Sequence, residues 1–140
     1  MACLVKYLIL CLLVAGGMCG DQLTANTFLN KGESLVSNNG YYRAVFQTDG
    51  NFVIYTVNGK VLWASNTAGK ADAAKLILQT DNNLVMYTYG GVAVWSSKTA
   101  KAYGSNCVLI MQNDGNLVTY RSTCTISPID AVWSSGTAQK

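Results

Sequence analysis

From Asp21 onward the apolar residues come in short runs, not at helical spacing. Ala44-Val45-Phe46, Leu76-Ile77-Leu78 and the run from Val108 to Met111 are rich in β-branched and bulky side chains. Turn residues interrupt the chain about every 8–12 positions, the signature of short strands joined by hairpins. Asp49-Gly50, Asn82-Asn83 and Asp114-Gly115 mark one set of tight turns, and Asn58-Gly59 and Gly90-Gly91 mark a second set. After each turn of the first set the chain alternates. Leu84 and Met86 point to one face and Asn83, Val85 and Tyr87 to the other; Phe52 and Ile54 repeat the apolar side in an earlier stretch, and Leu117 followed by Thr119 repeats it less well in a later one.

The alternation occurs three times in almost the same words. "QTDGNFVIY" (47–55), "QTDNNLVMY" (79–87) and "QNDGNLVTY" (112–120) all read Q-x-D-x-N-x-V-x-Y, at intervals of 32 and 33 residues. A second echo, W-[AS]-S-x-T, follows each at Trp63, Trp95 and Trp133. From Tyr to Trp is eight residues in the first two copies and thirteen in the third, so the third carries a five-residue insertion within Arg121 to Asp130. Such self-similarity predicts three equivalent units. A lone hairpin is marginal in water. Three sheets, each apolar on one face, bury those faces by closing into a three-sided prism with the tryptophans near its axis. The polar motif then points outward, once per side.

Composition narrows the chemistry. The chain has no histidine, which removes imidazole proton shuttles, histidine-based triads and histidine metal sites. The first 20 residues carry one charge, Lys6, then a nine-residue apolar run (7–15) and small residues, the layout of a secretory signal peptide. Cleavage is expected after Gly20, with Gly17 and Cys19 as alternatives. An uncleaved anchor is the competing reading, but the run is shorter than the ~20 residues that span a bilayer. Secretion, an extracellular location and a single domain over 21–140 follow as expectations. With Lys6 set aside, the ten basic and seven acidic residues leave about +2, too mild and too scattered to argue for nucleic acid or membrane insertion.

Of five cysteines only Cys107 and Cys124 lie beyond the signal region. If Leu117 sits opposite Asp114 in the third hairpin, Cys107 faces Cys124, and a disulfide there would stabilise by about 3 kcal/mol. Two free buried thiols are the alternative.

In each copy Asp supplies acceptors, Gln and Asn both donors and acceptors, and Tyr a hydroxyl, with Val as a small apolar patch. That set suits a neutral, polyhydroxylated ligand with a C–H face, namely a sugar. Glycoside hydrolysis needs two carboxylates within about 10 Å, and each copy offers one, so no enzyme is expected. Asp49 and Asn51 fit the start of a calcium loop, but the later ligands and the closing Glu are missing, and no cofactor or metal is expected.

The triple motif with its W-[AS]-S-x-T echo resembles the monocot mannose-binding lectins, also called bulb-type or B-type lectins, over Asp21 to Lys140. The segment "LVSNNGYYRAVFQTDGNFVIY" is similar to the animal members, which include fish mucosal lectins. The resemblance implies an all-β fold, β-prism II, with three four-stranded antiparallel sheets in pseudo-threefold symmetry. It implies a carbohydrate site in each: Gln47, Asp49, Asn51, Val53 and Tyr55; Gln79, Asp81, Asn83, Val85 and Tyr87; Gln112, Asp114, Asn116, Val118 and Tyr120. Asp and Asn would address the axial 2-hydroxyl of mannose, Gln the 3-hydroxyl and Tyr the 4-hydroxyl, with Val against the ring carbons. Partners would be mannose-containing glycans on glycoproteins or microbial surfaces, in innate defence or agglutination.

Two departures stand out. Plant members often carry a cysteine at the position of Gly50, whereas here the cysteines flank the third hairpin; the insertion lies beside the third site. Plant members often dimerise by exchanging C-terminal strands, which leaves a homodimer open for the tail "AVWSSGTAQK". The competing function is a protein-interaction or structural prism with little sugar binding.

Overall fold

The computed structural model describes residues 20–102, 104–121 and 126–140. The signal-like segment (1–19) and Cys124 lie outside them. Twelve strands follow in chain order: β1 (Gln22–Thr24), β2 (Phe28–Asn30), β3 (Ser34–Val36), β4 (Tyr42–Phe46), β5 (Phe52–Thr56), β6 (Val61–Ala64), β7 (Ala73–Leu78), β8 (Leu84–Thr88), β9 (Ala93–Ser96), β10 (Val108–Met111), β11 (Leu117–Tyr120) and β12 (Ala131–Ser134). A 3-10 turn, Pro128–Asp130, precedes β12. They form three four-stranded antiparallel sheets, ordered β3-β4-β5-β6, β2-β7-β8-β9 and β1-β10-β11-β12.

Each repeat supplies three strands of its own sheet. The fourth comes from the N-terminal segment, whose three short strands go one to each sheet. Leu35, Leu29 and Leu23 are the central residues of these strands, six positions apart, and all are fully buried. Across each sheet one inward row then runs from the N-terminal leucine to the tryptophan. In the first sheet it is Leu35, Ala44, Ile54 and Trp63; in the second Leu29, Leu76, Met86 and Trp95; in the third Leu23, Leu109, Thr119 and Trp133. The rows meet at the axis, where the tryptophan rings stand edge to face with centroids 5.7–6.2 Å apart. Such pairs add about 0.5–1.5 kcal/mol to the burial of each ring.

The third row is the poorer one, as its alternation predicted. Thr119 is fully buried and its Oγ1 has no hydrogen-bond partner, at a cost of about 1–3 kcal/mol. Thr119→Val keeps the shape and removes the orphan hydroxyl. It should stabilise the protein by about 1 kcal/mol in a denaturant titration.

The register expected for the third hairpin is corrected. Met111 pairs with Leu117 and Val108 with Tyr120, so the loop spans five residues, 112–116. Gly115, at φ 86°, makes the reversal by donating its N–H to the Gln112 carbonyl. Leu117 therefore does not face Asp114, and this register does not bring Cys107 opposite Cys124. Cys107 is a buried free thiol whose Sγ donates to the Gln79 carbonyl at 3.1 Å. Burial pushes its pKa up, partly offset by the backbone hydrogen bonds it receives. The tail contributes β12, which pairs with β11 of the third sheet.

Candidate functional site

The same five-residue loop closes all three motif hairpins. The Gln and Asn at its ends are joined by the Gln N–H donating to the Asn carbonyl, at 2.8 Å in the first copy and 2.9 Å in the other two. The residue before Asn takes a left-handed conformation: Gly50 at φ 87°, Asn82 at 70°, Gly115 at 86°. At Gly50 a side chain is excluded twice over, because a Cβ there would lie 2.3 Å from the Lys70 carbonyl oxygen. Asp caps the loop from within. Asp49, Asp81 and Asp114 each accept the N–H of the Asn two residues on, at 2.9, 3.0 and 2.9 Å. One carboxylate oxygen is thereby used and the other is left to face outward.

The second echo proves to be part of the site. Ser65, Ser97 and Ser135 each donate from Oγ to the motif Asn Oδ1 at 3.1 Å. Two residues on, the backbone N–H of Thr67, Thr99 or Thr137 donates to the same oxygen at 3.1–3.2 Å. A backbone N–H can only donate, so the Asn oxygen must face inward and its NH₂ is turned to the outside. The threonine hydroxyls donate to the carbonyls of Gly50, Asn82 and Gly115, tying the echo to the loop. The serines also accept the N–H of Phe52, Leu84 and Leu117. Sequence reasoning used the echo to mark the repeats, to place tryptophans and to carry the family resemblance, but gave its Ser and Thr no part in the site. Its invariant Ser-x-Thr spacing, repeated with the same fidelity as the motif, was the available signal.

At the other end of each motif the Gln Nε2 donates to the Tyr hydroxyl: Gln47 to Tyr55, Gln79 to Tyr87 at 2.7 Å, and Gln112 to Tyr120. The phenolic proton is then free to donate outward. In every sheet the pairing with the last strand shifts just before this Tyr, at Ile54/Tyr55, Met86/Tyr87 and Thr119/Tyr120. Such a bulge re-aims a side chain at the rim of a sheet.

All fifteen motif residues thus gather as three like clusters on the outer faces. Each brings together one carboxylate oxygen not used by the loop, an amide NH₂, the Gln carbonyl and a phenol, the last half-exposed in the first two clusters and buried in the third. The valines differ from expectation. Val53, Val85 and Val118 are only 2–3% exposed, walled in by the neighbouring strand residues Val45, Ile77 and Ile110. They form the floor of each cluster, not an open patch. The third cluster is also the more closed. Tyr120 is buried, with Val108 and Val118, while Tyr55 and Tyr87 are half-exposed. Beside it, Arg121 Nε and Asp130 Oδ1 pair at 2.8 Å across the insertion, whose residues 122–125 lie outside the description.

No family model matches the chain. Plumieribetin, a B-type lectin of Scorpaena plumieri, is 48% identical over 106 residues, covering 76% of this chain and 91% of that protein. The chain belongs to the B-type lectin family. The lectin is also similar to monomeric monocot mannose-binding lectins from Gastrodia elata, at 39% identity and a TM-score of 0.71, covering 84% of this chain and 98% of theirs. The mannose-specific agglutinin of snowdrop (Galanthus nivalis), solved with methyl-α-D-mannoside, is 35% identical with a TM-score of 0.64, covering 86% and 99%. The architecture is that of these bulb lectins, β-prism II, and the relatives bind carbohydrate without catalysis. The lectin is accordingly a carbohydrate-binding protein and not an enzyme.

Proposed function

We propose that the lectin is secreted and binds D-mannose and mannose-rich glycans through its three motif clusters. The observation that carries this reading is the threefold recurrence of one donor–acceptor array, with all fifteen positions filled and each Asn oriented by its own Ser-x-Thr brace. An acceptor from Asp, a donor from Asn and a donor from Tyr match vicinal hydroxyls on one sugar. Support also comes from the snowdrop protein, whose structure holds a mannoside. The apolar segment 7–15 supports secretion.

About four hydrogen bonds at ~1 kcal/mol net each give roughly −4 kcal/mol, or about millimolar dissociation, for one sugar in one cluster. Several clusters on one glycan surface raise the avidity by about 10²–10⁴. Three outward faces on one chain suit cross-linking, and so agglutination or capture of mannose-coated cells in innate defence, without requiring a dimer. A purely structural prism would account for the Asn brace, but not for the Gln–Tyr pair, which ties no backbone.

Among the described residues no group of three His, Cys, Asp or Glu gathers to hold a metal ion. Retention on immobilised mannan is therefore expected to be competed by free mannose and to survive EDTA. Elution by EDTA, or no competition by mannose, would reject the reading.

A further inference from the structure

Basic residues that are scattered along the chain meet at one seam between sheets. There, a pocket of about 270 Å³ is lined by Lys98, Thr99 and Lys101, from the loop after β9, and by Arg121, Ile129 and Val132 of the third sheet. None of the fifteen motif residues lines it, and among the described residues that do, none carries a carboxylate. The repeats show how particular this is. Asn66 and Gly136 stand where Lys98 stands, and Gly69 and Gln139 where Lys101 stands. Gly69, Lys101 and Gln139 share one backbone role, since the N–H of each donates to the carbonyl of its motif Asp at 2.9, 2.8 and 2.6 Å. The residue after the motif tyrosine is Thr56 or Thr88 in the first two copies and Arg121 in the third. All three positions are cationic at this seam, and their counterparts are uncharged. Lys98 is also an unusual choice for its backbone. Its φ is 58°, matching 57° at Asn66 and 69° at Gly136. Asparagine and glycine adopt that left-handed conformation readily, and a lysine does so under strain.

We propose that this seam is an oxyanion site, taking the sulfate or phosphate ester of an acidic glycan. Two ammonium groups and a guanidinium lining one pocket supply charge-assisted donors for a tetrahedral oxyanion. Their mutual repulsion is relieved when a dianion enters. The frame that carries them is fixed. Lys101 is held through its backbone on both sides, by its N–H bond to Asp81 and by its carbonyl, which accepts from Asn82 Nδ2 at 2.9 Å. Arg121 is tied twice to Asp130, N–H to carbonyl at 3.0 Å and Nε to Oδ1 at 2.8 Å. Asp130 thus answers one of the three charges, and Asp81 shares an adjoining depression with Lys101. Ile129, 81% exposed, and Val132 form an apolar wall on which ring C–H groups can rest. The three cations make one compact group and not the stripe that tracks a nucleic-acid backbone. The site works apart from the motif clusters and does not depend on their binding mannose.

The test titrates the full chain with inorganic sulfate and inorganic phosphate, each replacing chloride at constant ionic strength. Backbone amide shifts of Lys98, Thr99, Lys101 and Val132 are read against those of Lys60 and Lys70. The first group should shift and saturate, and the second should not. Galactose 6-sulfate and galactose 6-phosphate, whose equatorial 2-hydroxyl makes them poor ligands for the motif, then separate the two esters. The one that shifts the same amides at the lower concentration names the ester. Lys98→Asn should weaken binding about 3- to 5-fold, the share of one exposed charge pair, and Lys98→Arg should restore it. Asparagine suits the backbone there as it does at Asn66, so Lys98→Asn should unfold at or above the normal temperature and keep its retention on mannan. Shifts no larger than chloride produces, or equal shifts at every lysine, would mean general screening and overturn the proposal. So would binding that Lys98→Asn leaves intact. Displacement of both sugar esters by a short oligonucleotide at physiological salt would overturn the glycan assignment in favour of nucleic acid.

Discussion

Replacing Asn51, Asn83 and Asn116 together by aspartate is expected to abolish retention on mannan while the protein still unfolds close to its normal temperature. The substitution keeps the inward oxygen that accepts from Ser65 Oγ and the Thr67 N–H, and from their counterparts in the other two sheets. It changes only the outward atom, from an NH₂ donor to a second carboxylate oxygen beside Asp49, Asp81 or Asp114. Each cluster then meets a sugar hydroxyl with two acceptors and loses a donor, at a cost of about 1–3 kcal/mol. That is about 5- to 150-fold per cluster, and the loss compounds when avidity depends on several clusters acting at once. Mannan affinity chromatography and a thermal melt separate the outcomes. A collapse of the melting temperature would mean that the asparagine serves the fold and not the ligand.

The opposite signature is expected for Trp63→Ala. Trp63 touches Phe52 of its own sheet and both other tryptophans, with centroids at 6.1, 5.8 and 5.7 Å. Its loss should cost about 3–5 kcal/mol and lower the melting temperature by on the order of 15 °C. All three clusters should weaken together, because each tryptophan is two residues before the serine that braces its site. Differential scanning calorimetry reads the first effect and mannan binding the second. A melting temperature within a few degrees of the unaltered protein would show that the axis tolerates the cavity.

The alternation of strands, the threefold repeat and the tryptophan axis were all legible, because a period of two and a spacing of 32 or 33 residues leave few other foldings for so apolar an inner face. The grouping of the motif residues on the outer side of each sheet was legible for the same reason, but the burial of Val53, Val85, Val118 and Tyr120 was not, because it depends on the neighbouring strands. The register of the third hairpin was misread because a left-handed residue such as Gly115 serves a two-residue turn and a five-residue loop equally well. What separates them is the Asp114 side chain bonding to the Asn116 N–H, a contact with no sequence signature of its own. Four strands per sheet followed from the family resemblance, but the residues that form the fourth strands were not picked out, because Leu23, Leu29 and Leu35 each sit in strands of only three residues, too short to show alternation. Their six-residue spacing makes sense only once there are three sheets to receive them. The brace was hidden by its neighbour, since a conspicuous tryptophan drew attention from the Ser-x-Thr beside it.

The threading of the N-terminal segment orders events in time. Synthesis releases β1, β2 and β3 first, but their partners appear in the reverse sequence: β3 meets β4 at once, β2 waits for β7, and β1 waits for β10. Of these three strands the first to be made is thus the last to meet its partner, and the closure it makes, Gln22 against Ile110, spans most of the domain. Closing so long a loop is slow compared with forming a local hairpin. Until it happens β10, with its Val-Leu-Ile-Met run, remains a bare apolar edge of the kind that recruits other chains. A nascent molecule is therefore most vulnerable to aggregation between the synthesis of β10 and the seating of β1 against it.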